Sequence, residues 1–305
     1  MKDEIINLIV DTDPGVDDTL ALFLLKGNKN IKIELITTVQ GNSTIENVTT
    51  NALFVKNLIN INAPLYAGSD RPLVREPIYS SVHGEYSLGD ISIPESTNWE
   101  SGAVEKIIEV VNKKPGEVVI LALGPLTNIA KALGIDPNFA NKVKKIVIMG
   151  GAVRVPGNMA NNSAEFNFLC DPDAASIVLS SQLDKIIIPL DVCNKVAMYE
   201  REFDELKSEE IYETLMKLIR PYIKLLKEVD GLNGAVMYDP VAAYYLINPN
   251  AFESEDLNLE ISIDKDNEYG KVSENNSDTN KTKVCLAVDR EKFVSDFNSS
   301  IKHIY

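Results

Sequence analysis

Cysteine, histidine and positive charge are all scarce in this chain. Its 305 residues hold three cysteines, Cys170, Cys193 and Cys285, odd in number and far apart. That spacing gives neither a zinc-ligand set nor a disulfide framework, and it reads as inert thiols in a reducing compartment. Lysine and arginine number 30 against 45 acidic residues, a net charge of −15. Such a surface repels phosphate backbones and anionic lipid, which excludes nucleic acid and membrane as expected partners. A neutral or cationic substrate, or one held through a bound metal, fits better. No run approaches the ~18 apolar residues of a membrane span. Met1-Lys2-Asp3-Glu4 leads into an apolar run too short for a signal peptide. The expected location is therefore the cytoplasm.

Hydrophobic residues make up 45% of the chain, enough for a sizeable core. Strand-like and helix-like runs alternate along most of it. Ile5–Val10, Ile31–Val39, Val118–Leu123, Ile146–Met149 and Ile186–Leu190 read as buried strands, with a short one at Ala63–Ala67. Helices are expected over Thr44–Ile59 and Gly102–Asn112, and from near Pro125, Pro172 and Met198. This order predicts an α/β fold, a Rossmann-like, doubly wound and mostly parallel sheet flanked by helices, in one domain over 1–305. Ser69–Asn98 is a long irregular stretch. Asp264–Thr282 is polar and reads as a surface excursion before a closing strand, Lys283–Val288, and a final helix from Arg290.

Four carboxylates crowd into Asp11-Thr12-Asp13-Pro14-Gly15-Val16-Asp17-Asp18, where the first strand turns into a helix. In such folds the carboxyl ends of the strands converge on one rim, and ligands bind there. Like charges this close repel unless a proton or cation joins them, and a hard cation, Ca²⁺ or Mg²⁺, is the natural answer. The plainer alternative makes Asp17 and Asp18 helix-dipole charges and Asp11 a turn residue. Two other metal readings fail. A haloacid-dehalogenase-type phosphatase needs Asp-x-Asp-x-Thr/Val where Pro14-Gly15 intervenes. An EF-hand needs Gly and Glu where Val16 and Leu22 stand. Small, polar or acidic residues recur at the other strand ends, in Gln40-Gly41-Asn42, Gly124–Asn128, Gly150-Gly151 and Leu190-Asp191.

With these motifs the chain resembles the inosine–uridine-preferring nucleoside hydrolase family. The opening acidic motif is joined, in family order, by Gly41-Asn42, His83-Gly84, Leu123–Asn128, Met149-Gly150-Gly151, Ala164-Glu165-Phe166-Asn167, Asp171–Ala175, and Asp239 before Tyr245–Pro249. The resemblance implies a Ca²⁺-dependent hydrolase that cleaves the N-glycosidic bond of purine or pyrimidine ribonucleosides. Asp13, Asp18, Asp239 and the carbonyl of Leu123 would hold the ion, and Asp13 would act as general base. Asp17 would bind a ribose hydroxyl, Asn167 and Asp239 the 2′ and 3′ hydroxyls, and Glu165 the 5′ hydroxyl, while Asn42 and Met149 line the pocket. Asp17 and Asp18 are adjacent on a helix, so their side chains should diverge by ~100°, one to metal and one to sugar. Glu165 and Asn167 would share one face of an extended segment. Asp171 reads as a helix N-cap, Thr127 and Asn128 as caps of theirs, and Asp191 as structural.

Two departures bear on substrate. Many members carry His just before the last acidic ligand, as an acid for the departing base; Tyr238 stands here instead. A phenol, with a reference pKa of ~10, can donate a proton or stack on a base. His83 sits at a motif-matching position and is a candidate substrate contact. Asn158 lies seven residues before Glu165 where the family spacing is six, so Asn158 is the expected 5′-hydroxyl contact, with Asn161 or Asn162 as substitutes. Arg220–Asn233 resembles the family's mobile flap, with Tyr222 read as helix packing. The resemblance also implies a homo-oligomer, dimer or tetramer. Hydrolysis of another N-riboside such as nicotinamide riboside, or a low-turnover nucleoside- or ribose-binding protein, stays open at this point.

Overall fold

Alternate residues of the first strand serve two different cores, and that is what makes this sheet two-sided. The computed structural model describes residues 5–80, 88–93, 98–159, 162–264, 268–275 and 280–305. Strand β1 (Ile6–Thr12) passes through the acidic turn into helix α1 (Val16–Lys26), followed by β2 (Ile31–Thr38), α2 (Ile45–Leu58) and β3 (Leu65–Ala67). Leu8 and Val10 pack with Leu20, Phe23 and Leu24 of α1 on one face, while Ile9 packs with Ile120 and Ile148 on the other. Side chains alternate across a strand, so a strand buried on both faces must be apolar throughout.

The chain continues through β4 (Glu100–Ser101), α3 (Ala103–Lys113), β5 (Val118–Ala122), α4 (Thr127–Ile135), α5 (Phe139–Lys142) and β6 (Val143–Met149). Next come α6 (Phe166–Cys170), α7 (Pro172–Ser180), β7 (Lys185–Ile188), α8 (Leu190–Cys193) and β8 (Ala197–Met198). A 3₁₀ turn, Glu200–Leu206, precedes α9 (Tyr212–Asp230), β9 (Ala235–Val236) and α10 (Tyr238–Ile247). The chain closes with β10 (Phe252–Ile261), β11 (Val272–Asn275), β12 (Thr282–Val288) and α11 (Arg290–Ile301).

Among the described residues, ten strands form one sheet in the order β11-β10-β12-β7-β6-β5-β1-β2-β3-β4. All its pairings are parallel except those of β10 with β11 and β12. The mostly parallel α/β architecture matches expectation, and its centre, β6-β5-β1-β2, brings the motif-bearing strand ends side by side. No helix among the described residues is long and apolar enough to cross a membrane.

Three local expectations need correction. The polar excursion 264–282 contains β11, which pairs antiparallel with Asn258–Ile261 and sends Val272 into the core. Glu165 and Asn167 are not on an extended segment. Glu165 is the N-cap of α6, accepting the N–H groups of Asn167 and Phe168, and Asn167 lies in the first turn. Thr127 and Asn128 do not cap α4. Thr127 donates to Asp171 at 2.7 Å, and Asn128 donates to Asp11 and to the Thr38 carbonyl at 2.8 and 2.9 Å. Asp171 does cap α7, accepting the Ala174 N–H at 3.0 Å. Asp191 is structural as expected, accepting the N–H groups of Val153 and Arg154 at 2.8 and 2.7 Å.

Candidate active site

Pro14-Gly15 turns the chain sharply at the end of β1, and the free N–H groups of the turn and of the start of α1 need acceptors. Asp18 supplies them. It takes the Gly15 N–H at 2.9 Å, the Asp13 N–H at 3.3 Å and the Thr12 hydroxyl. The acidic motif thus folds its own loop around the Asp18 carboxylate.

Asp13 is fixed from the neighbouring strand end. The Asn42 N–H donates to its Oδ2 at 2.7 Å, and the Asn42 side-chain amide donates to the Asp13 carbonyl at 3.1 Å. Glycine is required on both flanks. A Cβ at Gly41 would stand 2.1 Å from Asp13 Oδ2, and one at Gly124 would stand 2.6 Å from Oδ1. Behind it, Asp11 accepts from Thr37 at 2.6 Å and from Asn128. Burial pushes Asp11 up to about 6 against those two hydrogen bonds.

Asp239, in the first turn of α10, completes the acidic floor. One carboxylate oxygen from each of Asp17, Asp18 and Asp239 falls within a group whose members all lie within 4.8 Å of one another. Asp17 and Asp18 therefore share one cluster, although adjacent on the helix. Of the pair, Asp17 also lines the cleft above. Burial, then repulsion from Asp18, Asp17 and Asp13, drives Asp239 well above the usual carboxylate range, and its carboxyl is hydrogen-bonded to that of Asp18. Burial and then the Asp18 charge do the same to Asp13. Burial raises Asp17 to about 6. Buried carboxylates forced this close are stable only with shared protons or a cation between them. The donors are all hard oxygens, which fits Ca²⁺ or Mg²⁺.

Above this floor a cleft, partly open to solvent, is lined by Asp17, Asn42, Leu123, Met149, Asn158 and Glu165. Asn167, Tyr238 and Asp239 line it too. Asn167 is held to two strand ends at once, donating to the Leu123 carbonyl at 2.7 Å and the Met149 carbonyl at 3.2 Å. Glu165 accepts the N–H groups of Gly151, Asn167 and Phe168 at 2.9, 2.8 and 3.1 Å. Burial outweighs those donors and pushes Glu165 up to about 7. Asn158 accepts the Phe166 N–H at 3.0 Å, so it anchors the start of α6 while facing the cleft.

The structure thus gathers nine of the sequence-derived candidates around one cleft, with Asp13 and Asp18 beneath them. Asn162 takes a left-handed turn conformation and does not line the cleft. His83 and Asn161 lie outside the described residues. His303 is on the far side of the molecule, beside Lys26 and Ser299. Sequence reasoning missed Ser80, Met159, Phe166, Leu226 and Val229, which complete the lining. Tyr222 packs as expected, buried with its hydroxyl donating to the Val236 carbonyl at 3.2 Å, yet its ring also faces the cleft. The signal for this wall was available, because Tyr222, Leu226 and Val229 stand at i, i+4 and i+7 on one helix.

Known proteins share both the sequence pattern and this architecture. The sequence profile of the family described as inosine-uridine preferring nucleoside hydrolase matches residues 8–295. A probable uridine nucleosidase 1 from Oryza sativa subsp. japonica is 37% identical over 252 residues, 80% of this chain and 78% of that protein. The inosine-uridine preferring nucleoside hydrolase of Crithidia fasciculata is 33% identical over 264 residues, 84% of this chain and 83% of its own. The solved structure of a purine-preferring ribonucleoside hydrolase from Gardnerella vaginalis superposes with a TM-score of 0.91 at 28% identity, covering 98% of each chain.

Proposed function

We infer the details of the reaction from one premise: the chain belongs to the inosine–uridine preferring nucleoside hydrolase family and is a nucleoside N-glycosidase. Water replaces the base at the anomeric carbon of a ribonucleoside, through a transition state in which the sugar carries positive charge. A floor of carboxylates stabilises that charge. The carboxylates of Asp13, Asp18 and Asp239 and the carbonyl of Leu123 would hold Ca²⁺, whose donor preferences they meet. When bound, the ion acidifies the attacking water and holds the vicinal diol against it.

Asp13 takes the water's proton. The Asn42 N–H and the two glycines fix its carboxylate, so the base needs no reorientation. Asp17, Asn167 and Asp239 bind the 2′ and 3′ hydroxyls. The metal-sized cluster comprises Asp17, Asp18 and Asp239 and does not include Asp13, so giving Asp13 to the ion and Asp17 to the sugar rests on the family pattern and not on this cluster. Glu165 and Asn158 receive the 5′ hydroxyl. Met149 and Asn42 shape the pocket, and His83 is kept as a substrate contact on its motif alone. Tyr222, Leu226, Val229 and Tyr238 form the wall on the base side; of its two phenols, that of Tyr222 is turned to the Val236 carbonyl.

The single observation that carries this reading is the buried acidic cluster lying directly under a cleft lined with hydroxyl-binding side chains. The same reading makes the protein a homo-oligomer, dimer or tetramer, in the cytoplasm, the latter supported by three buried free thiols. Relatives named for uridine, for inosine and uridine, and for purine ribonucleosides leave the base to be determined by assay. Reducing-sugar release from a panel of purine and pyrimidine ribonucleosides, with Ca²⁺ or with chelator, tests the proposal. Calcium-dependent release of ribose is expected. Undiminished release in chelator would remove the cation from the account.

A further inference from the structure

Helix α9 carries a proline in its middle, and a neighbouring loop occupies the gap that the proline leaves. Pro221 has no N–H, so the Lys217 carbonyl four residues earlier has no intrahelical partner. That carbonyl instead accepts the backbone N–H of Asp90 at 3.1 Å. Asp90 belongs to a tight turn in which the Ile91 N–H returns to the Leu88 carbonyl at 3.2 Å. Leu88 is buried in the same core as Leu218 and Tyr222.

The turn is shaped for this contact. Gly89 adopts φ +58°, the left-handed region that glycine tolerates. A Cβ there would stand 2.7 Å from the Lys217 carbonyl oxygen and 3.1 Å from that of Leu218. No side chain larger than hydrogen lets the turn approach this closely. Two independent sequence features, a glycine in a loop and a proline in a helix, therefore meet at one backbone contact.

The residues of α9 beyond this contact are Tyr222, Leu226 and Val229, which face the cleft. Tyr222 and Leu226 are buried in the core whereas Val229 is 63% exposed, so the direction of the helix decides where the outer end of that wall stands. We propose that the contact of the Gly89 turn with the Pro221 gap is a positioning joint, which aims the C-terminal half of α9 and thereby sets the fit of the leaving base. The inference rests on the reading that this half of α9 is the base-side wall. Pro221 and Gly89 touch no reacting atom. They act through Tyr222, Leu226 and Val229, on binding of the base and not on binding of ribose.

Three variants test it: Pro221→Ala, which restores an N–H competing with Asp90 for the Lys217 carbonyl; Gly89→Ala, which obstructs the approach from the other side; and Leu226→Ala, which trims the wall itself. Both joint variants should raise KM for the preferred nucleoside by about 10-fold with kcat within about 2-fold, since uniform binding is lost. Inhibition by ribose should not change. The double variant should be no worse than the poorer single one, because both break the same contact. Wild-type KM in both joint variants, a matching loss of ribose affinity, or additive effects would overturn the joint. If Leu226→Ala raises KM and the joint variants do not, the joint fails and the wall stands. Should Leu226→Ala leave KM unchanged, the wall reading fails and the joint with it.

Discussion

The floor of the cleft and its base-side wall are built by opposite means. On the floor, polar side chains are buried and each is held by backbone donors or acceptors at the strand ends: Asp13 by Asn42, Asp18 by its own Pro14-Gly15 turn, Asn167 by Leu123 and Met149. On the wall, Tyr222, Leu226 and Val229 come from one helix, and the Tyr222 hydroxyl is turned to a backbone carbonyl. Preorganised charge belongs where bonds change, and apolar surface where affinity must tolerate different partners. On the proposed reading, the difference assigns the reaction to the floor and selectivity to the wall.

Removing a floor carboxylate should have the largest effect. Asp239→Asn should lower kcat/KM roughly 10³-fold or more, because transition-state stabilisation worth several kcal/mol depends on the cluster. It should also abolish any rise in Tm on adding Ca²⁺, since a ligand stabilises only the state that binds it. Steady-state kinetics and a thermal-shift titration check both. A variant that kept the Ca²⁺-induced shift would take Asp239 out of the ion's coordination.

A buried acid outside the floor offers the contrasting case. Asp191 also follows a strand end, but among the described residues it holds the Val153 and Arg154 N–H groups. Asp191→Ala leaves both unpaired and should cost about 1–3 kcal/mol of stability, with kcat within about 3-fold. Urea unfolding beside kinetics separates the two. A large fall in kcat at unchanged stability would blur the line between floor and scaffold.

The smallest effect is expected on the wall. Tyr238→Phe keeps the ring and loses the phenol, and kcat should stay within about 3-fold. General-acid catalysis is typically worth ~10²–10⁴-fold, so a fall of that order would put chemistry into the wall and make Tyr238 the proton donor to the departing base.

The floor was legible in sequence because its parts are local. The resemblance supplies Asn167, in α6, and Asp239, in α10, while one eight-residue motif supplies Asp11 to Asp18 and short motifs at strand ends supply Asn42, Leu123 and Met149. Parallel strands then bring them together without further information. What escaped depends on contacts between distant segments or on backbone detail. The hydrogen bond of Asn128 to Asp11 spans 117 positions, so Asn128 read as a helix cap. Glu165 lies just before a helix of only five residues, too short to announce itself by periodicity, so it read as extended. Strand β11 lies in a polar stretch because it is an edge strand with Ser273 to Asn275 exposed. The wall was half legible: resemblance singles out Arg220–Asn233 and Tyr222 reads as packing, but Leu226 and Val229 are not singled out.

The most direct test of a floor that does the chemistry is Asp13→Asn, assayed for turnover and for ribose binding in the same preparation with Ca²⁺ present. The substitution keeps shape and removes the proton acceptor. The account predicts a fall in kcat on the order of 10³-fold, far exceeding whatever ribose affinity is lost with an ion ligand. Turnover near wild type, or loss of sugar binding in step with turnover, would contradict it.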